Sequence, residues 1–103
     1  MKRIKIWVDD VRPAPEGYVW IKSVNEAKRY ISMASPYGVA KIELSVDHDA
    51  GDYASDGGDY IKLLDWFEET NRIPASIRIH SMNSVGVQNM RAIIERNGWR
   101  EVK

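Results

Sequence analysis

The chain has no cysteine, which excludes a disulfide framework, thiolate metal sites and a cysteine nucleophile and fits a reducing compartment. It also has no net charge. The 15 Lys and Arg are matched by 15 Asp and Glu, so no global field draws it to nucleic acid or an anionic membrane, and phosphate recognition has to be local. No stretch comes near the roughly 20 apolar residues that cross a bilayer. The basic start followed by Ile4-Lys5-Ile6-Trp7-Val8 is cut off by Asp9 and Asp10 too early for a signal peptide, so a cytoplasmic protein with no membrane association is expected. Repeats and low-complexity tracts are missing, and there are 2 histidines. The 103 residues suffice for one buried core of ordinary size and are too few for two, so residues 1–103 are expected to form a single domain.

Residues 4–8 mix β-branched and aromatic side chains, which suits a strand that delivers Asp9 and Asp10 to its carboxyl end. Two prolines and a glycine make residues 11–17 a loop. Residues 18–21 read as a short strand. Ser23 and Glu26 have capping-box spacing and start a helix to about residue 33, with Val24, Ala27 and Ile31 facing inward. Pro36-Tyr37-Gly38 breaks it, and residues 39–46 form a third strand that closes on Asp47-His48-Asp49. A loop rich in Gly, Asp and Ser covers residues 50–58. Asp59 is placed to cap a helix to about residue 70, with Tyr60, Leu63, Leu64 and Phe67 inside and Asp65, Glu68 and Glu69 outside. Residues 77–79 make a fourth strand ending at His80-Ser81. A helix over about residues 85–96 packs through Val87, Met90 and Ile94, and residues 99–102 form a short last strand.

Alternating strands and helices imply a mainly parallel sheet covered on both faces, with right-handed crossovers. The first connection is the unusual one. A parallel return normally takes a dozen or more residues and a helix. Here there are only about eight residues, yet when extended they reach roughly 26 Å and span a strand of about 17 Å. A hairpin would instead turn the second strand antiparallel and send Asp47 away from Asp9. The parallel choice brings three groups of reactive side chains to one edge, outside the carboxyl ends of the strands, where open α/β sheets bind ligands.

An acidic pair closing the first strand (Asp9, Asp10), an Asp closing the third (Asp47) and a Ser closing the fourth (Ser81) resemble the receiver domain of two-component response regulators. The resemblance implies a flavodoxin-like or receiver-like α/β domain with a mainly parallel five-stranded sheet and about three main helices, the helices after the first and last strands being reduced or missing. It further implies Mg²⁺ on Asp9 and Asp10, a phosphoryl-accepting Asp47 and a phosphoryl-binding Ser81. The lysine that receivers carry after their fifth strand has no counterpart in Trp99-Arg100-Glu101-Val102-Lys103. Three motifs in order are similar to a divergent offshoot, the cyclic-phosphate processing receiver domain of bacteria and phages: Asp9-Asp10-Val11-Arg12-Pro13-Ala14-Pro15 with a glycine soon after, Leu44-Ser45-Val46-Asp47-His48-Asp49, and His80-Ser81-Met82-Asn83-Ser84-Val85-Gly86. For that family the implied activity is hydrolysis or processing of cyclic phosphates.

The residue chemistry agrees. Adjacent carboxylates repel unless a cation offsets them, and Asp9 and Asp10 joined by Asp47 or Asp49 make a hard-cation site for Mg²⁺ or Mn²⁺. On a strand, Asp47 and Asp49 would share a face and turn His48 away, unless the chain bends there. The expected catalytic set is His48, His80 and Asp47: the imidazoles divide the proton transfers while the cation activates water. Arg12, Ser81 and Asn83 are the expected phosphate-binding residues, helped by the amino end of the last helix. Against this stand the bland readings, in which the acidic pair is a turn, the histidines are structural and Arg12 is a surface cation.

Two classes of function follow. One is a metal-dependent phosphoesterase acting on a small phosphorylated or cyclic-phosphate substrate, RNA ends included. The other is a non-enzymatic receiver-like signalling or protein-interaction module, in which the histidines have no role. An RNA-stacking protein ranks last, because Trp7, Trp20 and Trp66 fall in core-like segments and zero net charge offers no basic groove.

Overall fold

The computed structural model describes residues 3–38 and 40–103. Four strands and three α-helices follow in the order β1 (Arg3–Val8), β2 (Val19–Ile21), α1 (Val24–Ala34), β3 (Lys41–Val46), α2 (Ile61–Glu69), β4 (Ser76–Ile79) and α3 (Ser84–Asn97), with a 3₁₀ turn at Gly51–Ser55. The strands pair in parallel as β2-β1-β3-β4. The first connection is thus the helix-free parallel crossover. Val39, the expected first residue of the third strand, lies outside the described residues. Among the described residues no helix is long and apolar enough to cross a membrane.

The helices lie on one face of the sheet. From β2 the chain steps past β1 to β3, then to β4, then to the segment beside β4. Each step runs in the same direction, so right-handed crossovers place α1, α2 and α3 together. Burial agrees: Ile4, Ile6 and Val8 of β1, Ile42, Leu44 and Val46 of β3 and Ile77 of β4 are buried. They meet Val24, Ala27 and Ile31 of α1, Leu63, Leu64 and Phe67 of α2, and Met90, Ile93 and Ile94 of α3. Each Val, Leu, Ile, Phe or Met among them stabilises the fold by about 1.5–3 kcal/mol on burial. The opposite face carries Arg3, Lys5, Trp7, Lys41, Glu43 and Arg78, none of them buried. The expectation of cover on both faces is therefore corrected: among the described residues the helices lie on one face, and the connection from β1 to β2 carries none.

The expected fifth strand is corrected too. Gly98 ends α3 in the left-handed region at φ 67°, Trp99 turns into the core against Phe67, and the chain reaches β4 only through an isolated parallel bridge between Ile77 and Glu101. The Ile77 N–H donates to Arg100 O and the Val102 N–H to Ile77 O. Smaller departures have local causes. Tyr18 lies outside β2. Asp59 does not cap α2: its Oδ1 accepts the Ala50 N–H instead, and Tyr60 holds the cap position without a side-chain bond. Residues 50–58 include the 3₁₀ turn. α3 begins one residue earlier than expected because Asn83 caps it, and Gly86 and Ile93 join its buried stripe while Val87 is only half-buried. Trp7, Trp20 and Trp66 are likewise half-buried, and Trp99 is the tryptophan of the core.

Ser23 does cap α1, accepting the Glu26 N–H, and its hydroxyl donates to Asp56 at 2.6 Å. Ser23→Ala removes both bonds and is expected to lower stability in urea denaturation by about 1–2 kcal/mol. Glu68 on α2 accepts from Arg96 and Asn97 of α3, which hold its carboxyl down at about 2 against an ordinary 4.5. A depressed carboxyl stabilises the fold above its ordinary pKa and loses that contribution as pH falls through the folded value. Thermal melts of Glu68→Gln from pH 5 to 3 should therefore fall less steeply than those of the parent.

Candidate functional site

β1 ends at Val8, and Asp9 follows with its backbone still tied to the sheet. Its N–H donates to Ile21 O at 3.1 Å, and its carbonyl accepts the Trp20 indole N–H at 2.8 Å. The Asp9 side chain is almost wholly buried. Oδ1 accepts the N–H groups of Val11 and Arg12, each at 2.9 Å, so the carboxylate closes the turn that starts the crossover. Oδ2 meets His80 Nε2 at 3.0 Å. Burial pushes this carboxyl up, but the Arg12, Val11 and His80 donors outweigh it and hold Asp9 below the ordinary carboxylate value.

His80, at the end of β4, has both ring nitrogens engaged, Nε2 with Asp9 and Nδ1 with the Ser45 hydroxyl at 2.9 Å. An ionised Asp9 only accepts, so the network assigns the ring proton to Nε2 and leaves Nδ1 to accept from Ser45. The ring is stacked on Trp7, with centroids 3.8 Å apart and planes 8° apart. Burial lowers its pKa further than Asp9 and Asp47 raise it, with Arg12 adding to the lowering. The imidazole is therefore held neutral, in one tautomer and one orientation.

Asp10 and Asp47 complete an acidic cluster. One oxygen each from Asp9, Asp10 and Asp47 lies within 4.8 Å of the others. Asp10 is pushed up by burial and then by the charges of Asp9 and Asp47, as expected of carboxylates crowded without a counter-charge. The 3₁₀ turn packs against it: Gly51 sits at φ +56°, and a Cβ there would overlap Asp10 Oδ2. Asp47 follows β3, its N–H donating to Val8 O and its Oδ1 accepting the His48 N–H. These three carboxylates are the candidate metal ligands.

His48 and Asp49 form a second group. The strand ends at Val46, so alternation no longer governs, and Asp49 folds back to His48 Nδ1 at 2.7 Å. Asp49 is thereby separated from the cluster in which it was expected as a ligand; it is 63% exposed against 15% for His48. The His48 hydrogen bond, with help from Asn83, holds Asp49 below its ordinary value despite some desolvation. His48 Nε2 makes no hydrogen bond among the described residues. The ring lies on the first turn of α3, where a Cβ on Gly86 would overlap it.

The expected phosphate ligands border these groups. Arg12 is exposed, and its Nη1 donates to His80 O at 3.2 Å. Ser81 Oγ accepts the Asn83 N–H. Asn83 spends its Oδ1 on the Gly86 N–H as helix cap, leaving Nδ2 to face Asp49 and His48 at 3.4 Å. Sequence reasoning missed Ser45, Trp7, Gly51 and Gly86. A polar residue inside an apolar strand and a glycine in the first turn of a helix were the available signals.

Residues 4–96 match the family model of the cyclic-phosphate processing receiver domain. No curated protein and no solved structure matches the chain.

A glycine exposed in a helix interior gains up to about 1 kcal/mol on replacement by Ala. Gly86→Ala should do the reverse, losing about 1–3 kcal/mol through overpacking on His48. Proton NMR should show the His48 ring resonances shifting more than those of His80; a stabilised variant with unmoved resonances would contradict the packing described.

Proposed function

Because the chain belongs to the cyclic-phosphate processing receiver domain family, we propose that it is a divalent-cation-dependent phosphoesterase that opens a cyclic phosphate to a monoester. The observation that carries this reading is the convergence of Asp9, Asp10 and Asp47 with His80 and Arg12 at the carboxyl edge of the sheet, where Asn83 at the start of α3 adjoins His48 and Asp49. The carboxylates fit a hard cation such as Mg²⁺ or Mn²⁺: their oxygens are close enough to share one ion, and Asp10 is pushed up first by burial and then by the charges of Asp9 and Asp47, which such an ion would offset. Asp10 and Asp47 are the stronger donors, since both Asp9 oxygens are already hydrogen-bonded. When bound, the cation supplies charge neutralisation at the phosphate and a lowered pKa for coordinated water.

The protein's own residues divide the remaining work. Arg12 and the Ser81 hydroxyl hold non-bridging phosphate oxygens, with the free N–H groups of the first α3 turn beside them. His48, oriented through Nδ1 by Asp49, presents Nε2 to take a proton from the attacking water and return it to the alkoxide as one P–O ester bond breaks. His80 is a positioning residue here, for its two nitrogens are committed to Asp9 and Ser45.

The test is a panel of 2′,3′-cyclic nucleotides, cyclic dinucleotides and ADP-ribose cyclic phosphates with Mg²⁺ or Mn²⁺. Turnover should vanish in EDTA and return with the metal, and His48→Ala should lower kcat about 100-fold or more. Asp10→Asn should weaken metal binding measured by calorimetry. Turnover indifferent to EDTA and to both substitutions would overturn the assignment. Gain of one phosphoryl group in intact mass after incubation with a small phosphodonor, with no turnover on any substrate, would favour the signalling module instead.

A further inference from the structure

The sheet face without helices has a charge of its own. Side chains of β1, β3 and β4 that point away from the core include Lys5, Lys41 and Arg78, together with Arg3, which pairs with Glu43. Arg100 joins them at the lower end, lining a shallow depression of about 250 Å³ with Arg3, Lys41 and Glu43. Glu43 is the only acidic side chain those strands place on this face below Asp9 and Asp47. The zero net charge of the chain is therefore segregated, with cations along the open face and carboxylates at its upper edge. Tyr18 lies on the same face, its ring edge-on to Trp7 and under the Lys5 ammonium, and with Arg78 it lines a small slot.

We infer that this open face is a track for single-stranded RNA, whose phosphodiester backbone runs over Lys41, Lys5 and Arg78 toward the acidic cluster. The inference deepens the phosphoesterase reading and rests on it, for it makes the cyclic phosphate the end of an RNA chain. The strip from Arg3 to Asp9 is about 20 Å long at strand rise, room for a few nucleotides. A flat sheet with cations and an aromatic ring suits a strand whose unpaired bases splay and stack. A second copy of the same face is a poor occupant, because the two would repel.

Fluorescence anisotropy with an RNA of about ten nucleotides, labelled at its 5′ end and finished with an unreactive 3′-hydroxyl, tests the track without chemistry. Binding should weaken steeply with salt, with a log–log slope of roughly −2 to −3 for three or four phosphate contacts. The Lys41→Glu, Arg78→Glu double variant should bind about tenfold or more weakly and with a shallower slope, while Arg78→Lys retains affinity. Unchanged melting temperatures exclude misfolding, since Lys41 and Arg78 are both exposed. Parent-like RNA affinity in the double variant, or no binding by the parent, overturns the track. RNA binding by a parent that turns over neither a cyclic mononucleotide nor an RNA ending in a 2′,3′-cyclic phosphate leaves the track standing and removes the esterase; turnover without RNA binding does the opposite.

Discussion

One buried carboxylate organises the upper half of the molecule. Asp9 accepts two backbone N–H groups of its own loop and the Nε2–H of His80. The first two bonds set the direction in which the Pro-rich crossover leaves β1, which allows β2 to pair in parallel without a helix. The third fastens β4 to β1 across the intervening β3. Burying a charge is costly unless it is paired and hydrogen-bonded, and Asp9 meets that condition with two backbone donors and one imidazole donor. Its neighbour Asp10 has no such set of donors, and burial followed by the charges of Asp9 and Asp47 pushes its carboxyl up.

The two histidines show how environment separates chemically identical groups. His80 is stacked, desolvated and bonded at both nitrogens, so it behaves as a structural tie between Trp7, Ser45 and Asp9. His48 is bonded at one nitrogen to an exposed carboxylate and rests on a glycine that leaves space for its ring. A group with one free nitrogen and an oriented ring is suited to proton transfer. Position at the same sheet edge does not make the two equivalent.

Reducing the cover to one layer of helices has a second effect. A sheet face relieved of the helices that would bury it need not be apolar, and β1 and β3 carry Lys, Arg and Glu at alternate positions. Strand alternation sorts these charges away from the core as firmly as it sorts Ile and Leu into it. A composition balanced overall thereby yields a face on which cations outnumber the one carboxylate, Glu43, beside a cluster of carboxylates.

Local spacing in the sequence determined the helices and their inner faces. Val24, Ala27 and Ile31, and Leu63, Leu64 and Phe67, are legible because neighbours three and four apart share a side of a helix whatever surrounds it. The carboxylates at the strand ends were legible for the same reason, since a polar break in an apolar run needs no partner to be recognised. The one-sided packing, the single bridge in place of a fifth strand, the Asp49 that turns from the acidic cluster to His48 and the Ser45–His80–Asp9 chain were decided by tertiary structure. Asp9 and His80 are 71 residues apart, and register between strands, not spacing along the chain, brings such residues into contact.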